Sequence, residues 1–195
     1  MNYLAHAYLS FEDSEVLTGN MISDFVKGKK KFDYPPRILE GIDLHRAIDA
    51  FTDSSSITKE AAKLFKPAYG LYNLAFMDVV YDHFLALDLA GRGNGFFRAF
   101  VESVYEKIGM HESILPPAFR SLFPYMKRED WLFNYQFTGG IDKSFAGLVH
   151  RAKYISESGT AMKIFEENYN LFSEAYNNFF PGLLDFSLRK FADIH

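Results

Sequence analysis

Residues Gly70–Gly91 read GLYNLAFMDVVYDHFLALDLAG, with apolar side chains on nearly every side of a helical wheel. A helix that is hydrophobic all round is a buried one. The stretch therefore predicts a central helix over about 69–90, with the remaining elements packed around it. Outward from this segment, the periodicity is helical almost throughout, and no Asn-Gly or Asp-Gly turn sits between two alternating stretches. Breakers divide the chain at Pro35-Pro36, Pro67, Gly91–Gly95, Pro116-Pro117, Pro124, Gly139-Gly140, Gly159 and Pro181-Gly182. They predict further helices over about 2–9, 15–27, 36–52, 56–66, 96–109, 116–127, 129–137, 141–156, 160–178 and 183–193. Pro36 fits the first turn of its helix, where a missing N–H costs nothing. Asp53 or Ser54 is placed to cap the helix that follows. The fold class is all-α, a single-domain helical bundle over 1–195 with no internal repeat or linker.

Composition narrows the function. The chain has 195 residues, 48% hydrophobic, enough to bury a sizeable core. Its 21 Phe and 12 Tyr must largely fill that core. A net charge of −4 gives no global basic signal, which argues against a nucleic-acid partner. Cysteine is absent, so thiolate metal sites, disulfides and cysteine nucleophiles are excluded. No run of about 18 apolar residues predicts a membrane span, and the N-terminus lacks a basic start followed by an apolar stretch. A cytoplasmic protein is the expectation.

The polar residues inside apolar helices are the anomaly. GIDLHRAIDAFTD, residues Gly41–Asp53, sets His45, Asp49 and Asp53 four apart on one face. The central helix holds Asp78, Asp82 and His83, Asn20 and Asp24 are again four apart, and His6 sits in NYLAHAYL. Burying a carboxylate without a partner is costly. Basic residues within these helices are few, with Arg46 one and the central helix holding none. The excess of acids favours a metal, and His45, Asp82, His83 and Asp24 together read as the site. Taken singly, each has an ordinary structural explanation. Histidine with carboxylates and no thiolate suits Mn²⁺, Mg²⁺ or Fe²⁺ rather than a closed zinc site. Such a cation acidifies water and clamps phosphoryl oxygens, which makes hydrolysis of a phosphate ester the natural chemistry. No phosphate-binding Gly-rich loop and no G-x-S-x-G elbow competes with it.

MNYLAHAYLS, LTGNMISDFVKG, GIDLHRAIDAFTD and MDVVYDHFLA, in this order and spacing, resemble the acyl carrier protein phosphodiesterase family. EDWLFNY and NNFFPGLL extend the likeness more loosely. The resemblance implies an all-helical, Mn²⁺-dependent hydrolase, a divergent member of the HD phosphohydrolase superfamily. It implies release of 4′-phosphopantetheine from holo-acyl carrier protein, with Asp24 carried over first and His6, His45, Asp49, Asp82 and His83 by motif match. The chain departs from the superfamily's adjacent His-Asp pair: here the pair is reversed, Asp82-His83, and His45 precedes Arg46. The expected metal ligands are Asp24, His45, Asp82 and His83. Asp49 or His6 would orient water or protonate the leaving serine oxygen, and Arg46 would balance phosphate charge or pair with Asp49 or Asp43.

Residues 27–37, KGKKKFDYPPR, carry Lys27, Lys29, Lys30, Lys31 and Arg37 against Asp33, a local charge of +4. Three residues beyond Asp24, this run is placed to steer an acidic carrier protein, although an isolated charge run is usually just a solvated loop. Two other readings compete: an HD-type phosphohydrolase acting on a nucleotide or small phosphate ester, and a non-enzymatic helical binding module.

Overall fold

The computed structural model describes residues 1–194. Among them the helices are α1 (Tyr3–Tyr8), α2 (Ser14–Ile22), α3 (Pro36–Ser54), α4 (Ser56–Ala62), α5 (Lys66–Tyr69) and α6 (Asn73–Gly91). They continue with α7 (Phe96–Met110), α8 (Pro117–Arg128), α9 (Trp131–Asn134), α10 (Thr138–Arg151), α11 (Gly159–Glu167) and α12 (Tyr169–Ala192). No strand occurs among the described residues, so the all-α class holds.

The central helix is α6. Eleven of its residues, from Phe76 to Leu89, are buried, and it packs against α1, α4, α7, α10 and α12. Its apolar surface meets a cluster of phenylalanines: Phe65 stacks on Phe76 at 5.4 Å and on Phe172 at 5.3 Å, and Phe145 lies 5.2 Å from Phe76. Burying one such ring contributes roughly 1.5–3 kcal/mol, so this cluster is a main source of cohesion.

The tightest helix pair is α2 with α3. Gly19 and Gly41 face each other there. A Cβ on Gly19 would lie 2.0 Å from the carbonyl oxygen of Ile38, and one on Gly41 would lie 2.3 Å from that of Val16. Backbone meets backbone, so nothing flexible can give way. This approach brings the Asn20 end of α2 against the His45 turn of α3.

Several boundaries differ from the sequence expectation. α2 stops at Ile22 and tightens into a 3₁₀ turn, Ser23–Phe25, followed by a second one, Gly28–Asp33. Asp24 therefore lies on a turn rather than on the helix. The central helix begins at Asn73 because Gly70 takes φ +55°, a backbone state favoured for glycine. Ser55, not Asp53 or Ser54, caps α4, its hydroxyl accepting from Thr58 N. The chain does not break at Pro181. The proline faces solvent, so the carbonyl it deprives of a donor can be hydrated. Phe179, Phe180 and Leu183, buried on either side of it, hold α12 as one helix.

Adding a methyl at the Gly19–Gly41 contact forces the backbones apart. Gly19→Ala or Gly41→Ala is expected to cost roughly 2–3 kcal/mol. Thermal unfolding should show a drop of about 5–10 °C. An unchanged midpoint would mean that the two helices separate freely.

Candidate metal centre

The site is assembled from the start of the chain inward. The buried Asp82 carboxylate on α6 accepts from Leu4 N (2.7 Å) and Ala5 N (3.1 Å), the free N–H groups at the start of α1. It thus caps α1 and fixes how that helix lies on α6. His6, one turn on, is thereby aimed at α3. Asn20 on α2 ties the other side, donating to the His6 carbonyl (3.0 Å) and to Ser10 Oγ (3.1 Å).

His45 projects from α3 into the same space. Its Nδ1 donates to the Asn20 carbonyl at 2.8 Å, which puts the proton on Nδ1 and leaves Nε2 with a free lone pair in the neutral ring. Nε2 lies 3.1 Å from Asp49 Oδ2 and 3.3 Å from Asp24 Oδ1. It is nonetheless a buried atom without an aligned hydrogen bond. His6 Nε2 lies 3.2 Å from Asp49 Oδ1, and the two imidazoles stack at 3.9 Å with 13° between their planes. Asp49 is therefore shared by both rings. His6 Nε2 also lies 3.2 Å from the Met1 carbonyl, and Asp49 Oδ1 accepts from the Met1 ammonium at 3.1 Å, so of these atoms His45 Nε2 alone is left without a partner. His6, His45 and Asp49 each present a ligand atom, all within 4.8 Å of one another, and can hold a divalent cation. Asp24 stands at the mouth. Its turn is held by Arg46, which donates to the Val26 carbonyl (3.1 Å), and by Phe25 packed on Phe119 (5.3 Å).

The electrostatics follow from burial and crowding. Burial pulls His45 down, but the Asp24 and Asp49 carboxylates outweigh it and raise the group to about 9. Burial and the charge on His45 drive His6 down to about 4. Burial works against ionising Asp49, yet the two imidazoles and the Met1 ammonium beside it hold it well below the usual carboxylate range. His45, 3.3 Å away, lowers Asp24 against the opposing pull of desolvation. The Met1 ammonium sits 3.1 Å from both Asp49 and Asp78.

Not every expected residue arrives. Asp82 and His83 are not in this cluster. Both oxygens of Asp82 are used as the α1 cap, in an environment whose burial raises its pKa to about 7. His83 donates from Nδ1 to the Tyr135 carbonyl (2.7 Å) and accepts at Nε2 from Tyr169 Oη (3.0 Å), so both ring nitrogens are spoken for. Adjacent residues on a helix point about 100° apart, which sends the two side chains to different neighbours. Arg46 pairs with neither Asp49 nor Asp43 among the described residues; it braces the Asp24 turn instead. Arg37 is committed to Asp13, the N-cap of α2, through two contacts at 2.8 and 3.1 Å, and is not a free basic group. Lys31 pairs with Asp43 at 2.7 Å, while Lys27, Lys29 and Lys30 are exposed. Of the neighbouring groups that the sequence did not place at the site, Asp78 had shown itself as a buried acid. Arg151 carried no local signal at all. It meets the site only through the fold, lining a cleft of about 470 Å³ together with His6, Asn20, Asp24, His45 and Asp78.

Fold and site together define a helical protein with an imidazole–carboxylate cluster, able to hold a cation, at the base of a cleft. The chain belongs to the acyl carrier protein phosphodiesterase family, whose description, "Acyl carrier protein phosphodiesterase", matches residues 1–183. A relative of that name from Yersinia pestis is 30% identical over 185 residues, 94% of this chain and 96% of the relative. Others from Salmonella paratyphi A and Salmonella agona are 29% identical over 191 residues, 97% of this chain and 99% of theirs. No solved structure matches the chain.

A cation held here would compete with a proton. Without a cation, the His45 imidazolium contributes stability that is present in full below its unfolded value of 6.5 and is lost as pH rises through about 9. A ligated imidazole is neutral, so at pH 7 uptake of Mn²⁺ is expected to release close to one proton per ion. Affinity should tighten about tenfold per pH unit between 7 and 8 and level off above 9. Calorimetry in buffers of different ionisation enthalpy measures both effects, and His45→Ala should abolish them. Binding without proton release would place the ion elsewhere.

Proposed function

We propose that the chain hydrolyses the phosphodiester of holo-acyl carrier protein, releasing 4′-phosphopantetheine and the apo protein, with a divalent cation held at the His6–His45–Asp49 cradle. The observation that carries this reading is the buried, unpartnered Nε2 of His45 facing two carboxylates at the base of an open cleft, in a chain of this family. Two imidazoles with oxygen donors and no sulfur suit Mn²⁺, with Mg²⁺ or Fe²⁺ as chemically related occupants. A cation there supplies charge for the phosphoryl oxygens and acidifies water.

The side chains divide the remaining work. The Asn20 carbonyl keeps His45 in the ligating tautomer. Asp49, ionised and shared between the two rings, holds them in register; a carboxylate so acidic has no proton to give the leaving group. His6, neutral at working pH, is likewise a ligand rather than an acid. Asp24 at the cleft mouth is ionised and placed to accept a hydrogen bond from the attacking water. Water adds to phosphorus and the bond to the carrier serine oxygen breaks; the proton that the attacking water gives up passes through solvent at the open cleft to the serine oxygen and restores its hydroxyl. Lys27, Lys29 and Lys30 lie beside the Asp24 turn and face solvent, where they would meet an acidic partner. The reading takes the chain to be cytoplasmic; no described helix is long and apolar enough to cross a membrane.

Mass spectrometry of holo-acyl carrier protein incubated with the chain tests the reaction. Loss of the phosphopantetheine mass is expected with Mn²⁺, but not with EDTA or with Asp49→Asn. Intact holo protein despite bound Mn²⁺ would turn the assignment toward small phosphate esters.

The basic turn has its own test. Lys29→Glu with Lys30→Glu is expected to raise KM for the carrier protein by about tenfold at low salt and by much less at high salt, with kcat little changed. An equal loss at both salts would remove the steering role.

A further inference from the structure

Beside the cleft lies a second cavity of about 130 Å³, and the two share Asn2, Tyr3 and Arg151 as a common wall. We propose that this second cavity seats the pantetheine arm of the substrate, with Arg151 at the junction gripping the phosphodiester. This rests on the function proposed above and assigns the substrate's two ends to named residues.

The charge at the junction supports the assignment. Asp24, Asp49 and Asp78 crowd the cation cradle and would repel a phosphodiester. The Met1 ammonium is already paired with two of them. Arg151 lines the cleft with no hydrogen bond or ion pair to any described residue, and its fork matches phosphate oxygens. Arg46, the expected phosphate partner, is tied to a carbonyl.

The walls of the second cavity suit a chain of methylenes and amides. Tyr3 and Trp131 form an aromatic side, their rings 6.4 Å apart. Asn2 and Asn134 spend their amide nitrogens on Tyr135 Oη and the Glu129 carbonyl. Their Oδ1 atoms take no hydrogen bond from a described residue and can accept from amide N–H groups. Gly147, in the middle of α10, also lines the space. A glycine inside a helix costs up to about 1 kcal/mol relative to alanine. No packing demands it here, because a Cβ at this position would meet nothing within 4 Å. A side chain at 147 would instead project into open cavity. The two cavities together fall within the roughly 300–1,000 Å³ of ordinary ligand sites.

Trp131 is the chain's one tryptophan and reports on this cavity directly. Titration of the full-length Mn²⁺-loaded chain with free 4′-phosphopantetheine is expected to change its emission saturably, while inorganic phosphate does not. Gly147→Leu should weaken that binding about tenfold or more, and in turnover should raise KM for holo-acyl carrier protein. Arg151→Ala should weaken phosphopantetheine about tenfold or more but leave pantetheine, which lacks the phosphate, nearly unchanged; Arg151→Lys should recover part of the loss. Thermal unfolding confirms that each variant is folded. Release of phosphopantetheine by a chain whose Trp131 does not respond, or whose affinity ignores Gly147→Leu, would overturn the cavity assignment and leave the proposed function standing. Absence of release by the unaltered chain would overturn the function. Phosphopantetheine affinity and its response to Gly147→Leu would even then decide whether the cavity takes the arm.

Discussion

Asp82 holds the arrangement together. It is a fully buried carboxylate, and burial alone would make it a liability. Its two oxygens instead take the N–H groups that open α1, so one side chain satisfies a helix end and anchors that helix to the centre of the molecule. Everything that reaches the cleft from the first turn depends on this anchor: the Met1 ammonium, Asn2, Tyr3 and His6. The interlocked glycines of α2 and α3 supply the second fixed point. Between them, the distance from His6 to His45 is set by backbone, not by the mobility of long side chains.

The centre thus carries its charges in a graded way. The −4 net charge is spread over the chain, but three carboxylates meet two imidazoles and an ammonium at one place. Two stacked imidazoles cannot both be charged at low cost, so one is pressed to about 4 while its neighbour rises to about 9. Opposed shifts of this size at the base of a cleft are characteristic of functional sites.

Much of this was readable in the residues themselves. The period of residues 70–91 foretold the buried central helix, and the four-residue spacing of His45 and Asp49 put both on one face. His6 and Asp24 entered through motifs. The adjacent Asp82-His83 pair misled because a sequence shows that a buried acid needs partners but not which ones. Here they are backbone N–H groups of a helix 78 residues earlier in the chain. Asp24 had seemed to continue α2, and only the tightening after Ile22 turns it toward the mouth. Pro181 reads as a breaker until the burial on both its flanks is known. Arg151 illustrates the remaining limit: a lone arginine at a helix end has no pattern, and its place in the cleft that His45 also lines exists only after folding.

The elements that line the cleft also divide along the chain. The candidate cation donors lie on α1 and α3, within the first 49 residues. The second cavity draws most of its wall from residues 129–151, around α9 and α10. The cluster proposed for chemistry and the cavity proposed for recognition thus draw on separate stretches of one polypeptide, meeting along Asn2 and Tyr3. Under that proposal, substitutions in the later stretch would reshape what is gripped and leave the cluster on α1 and α3 untouched. A lineage built this way can change its clientele without reinventing its reaction.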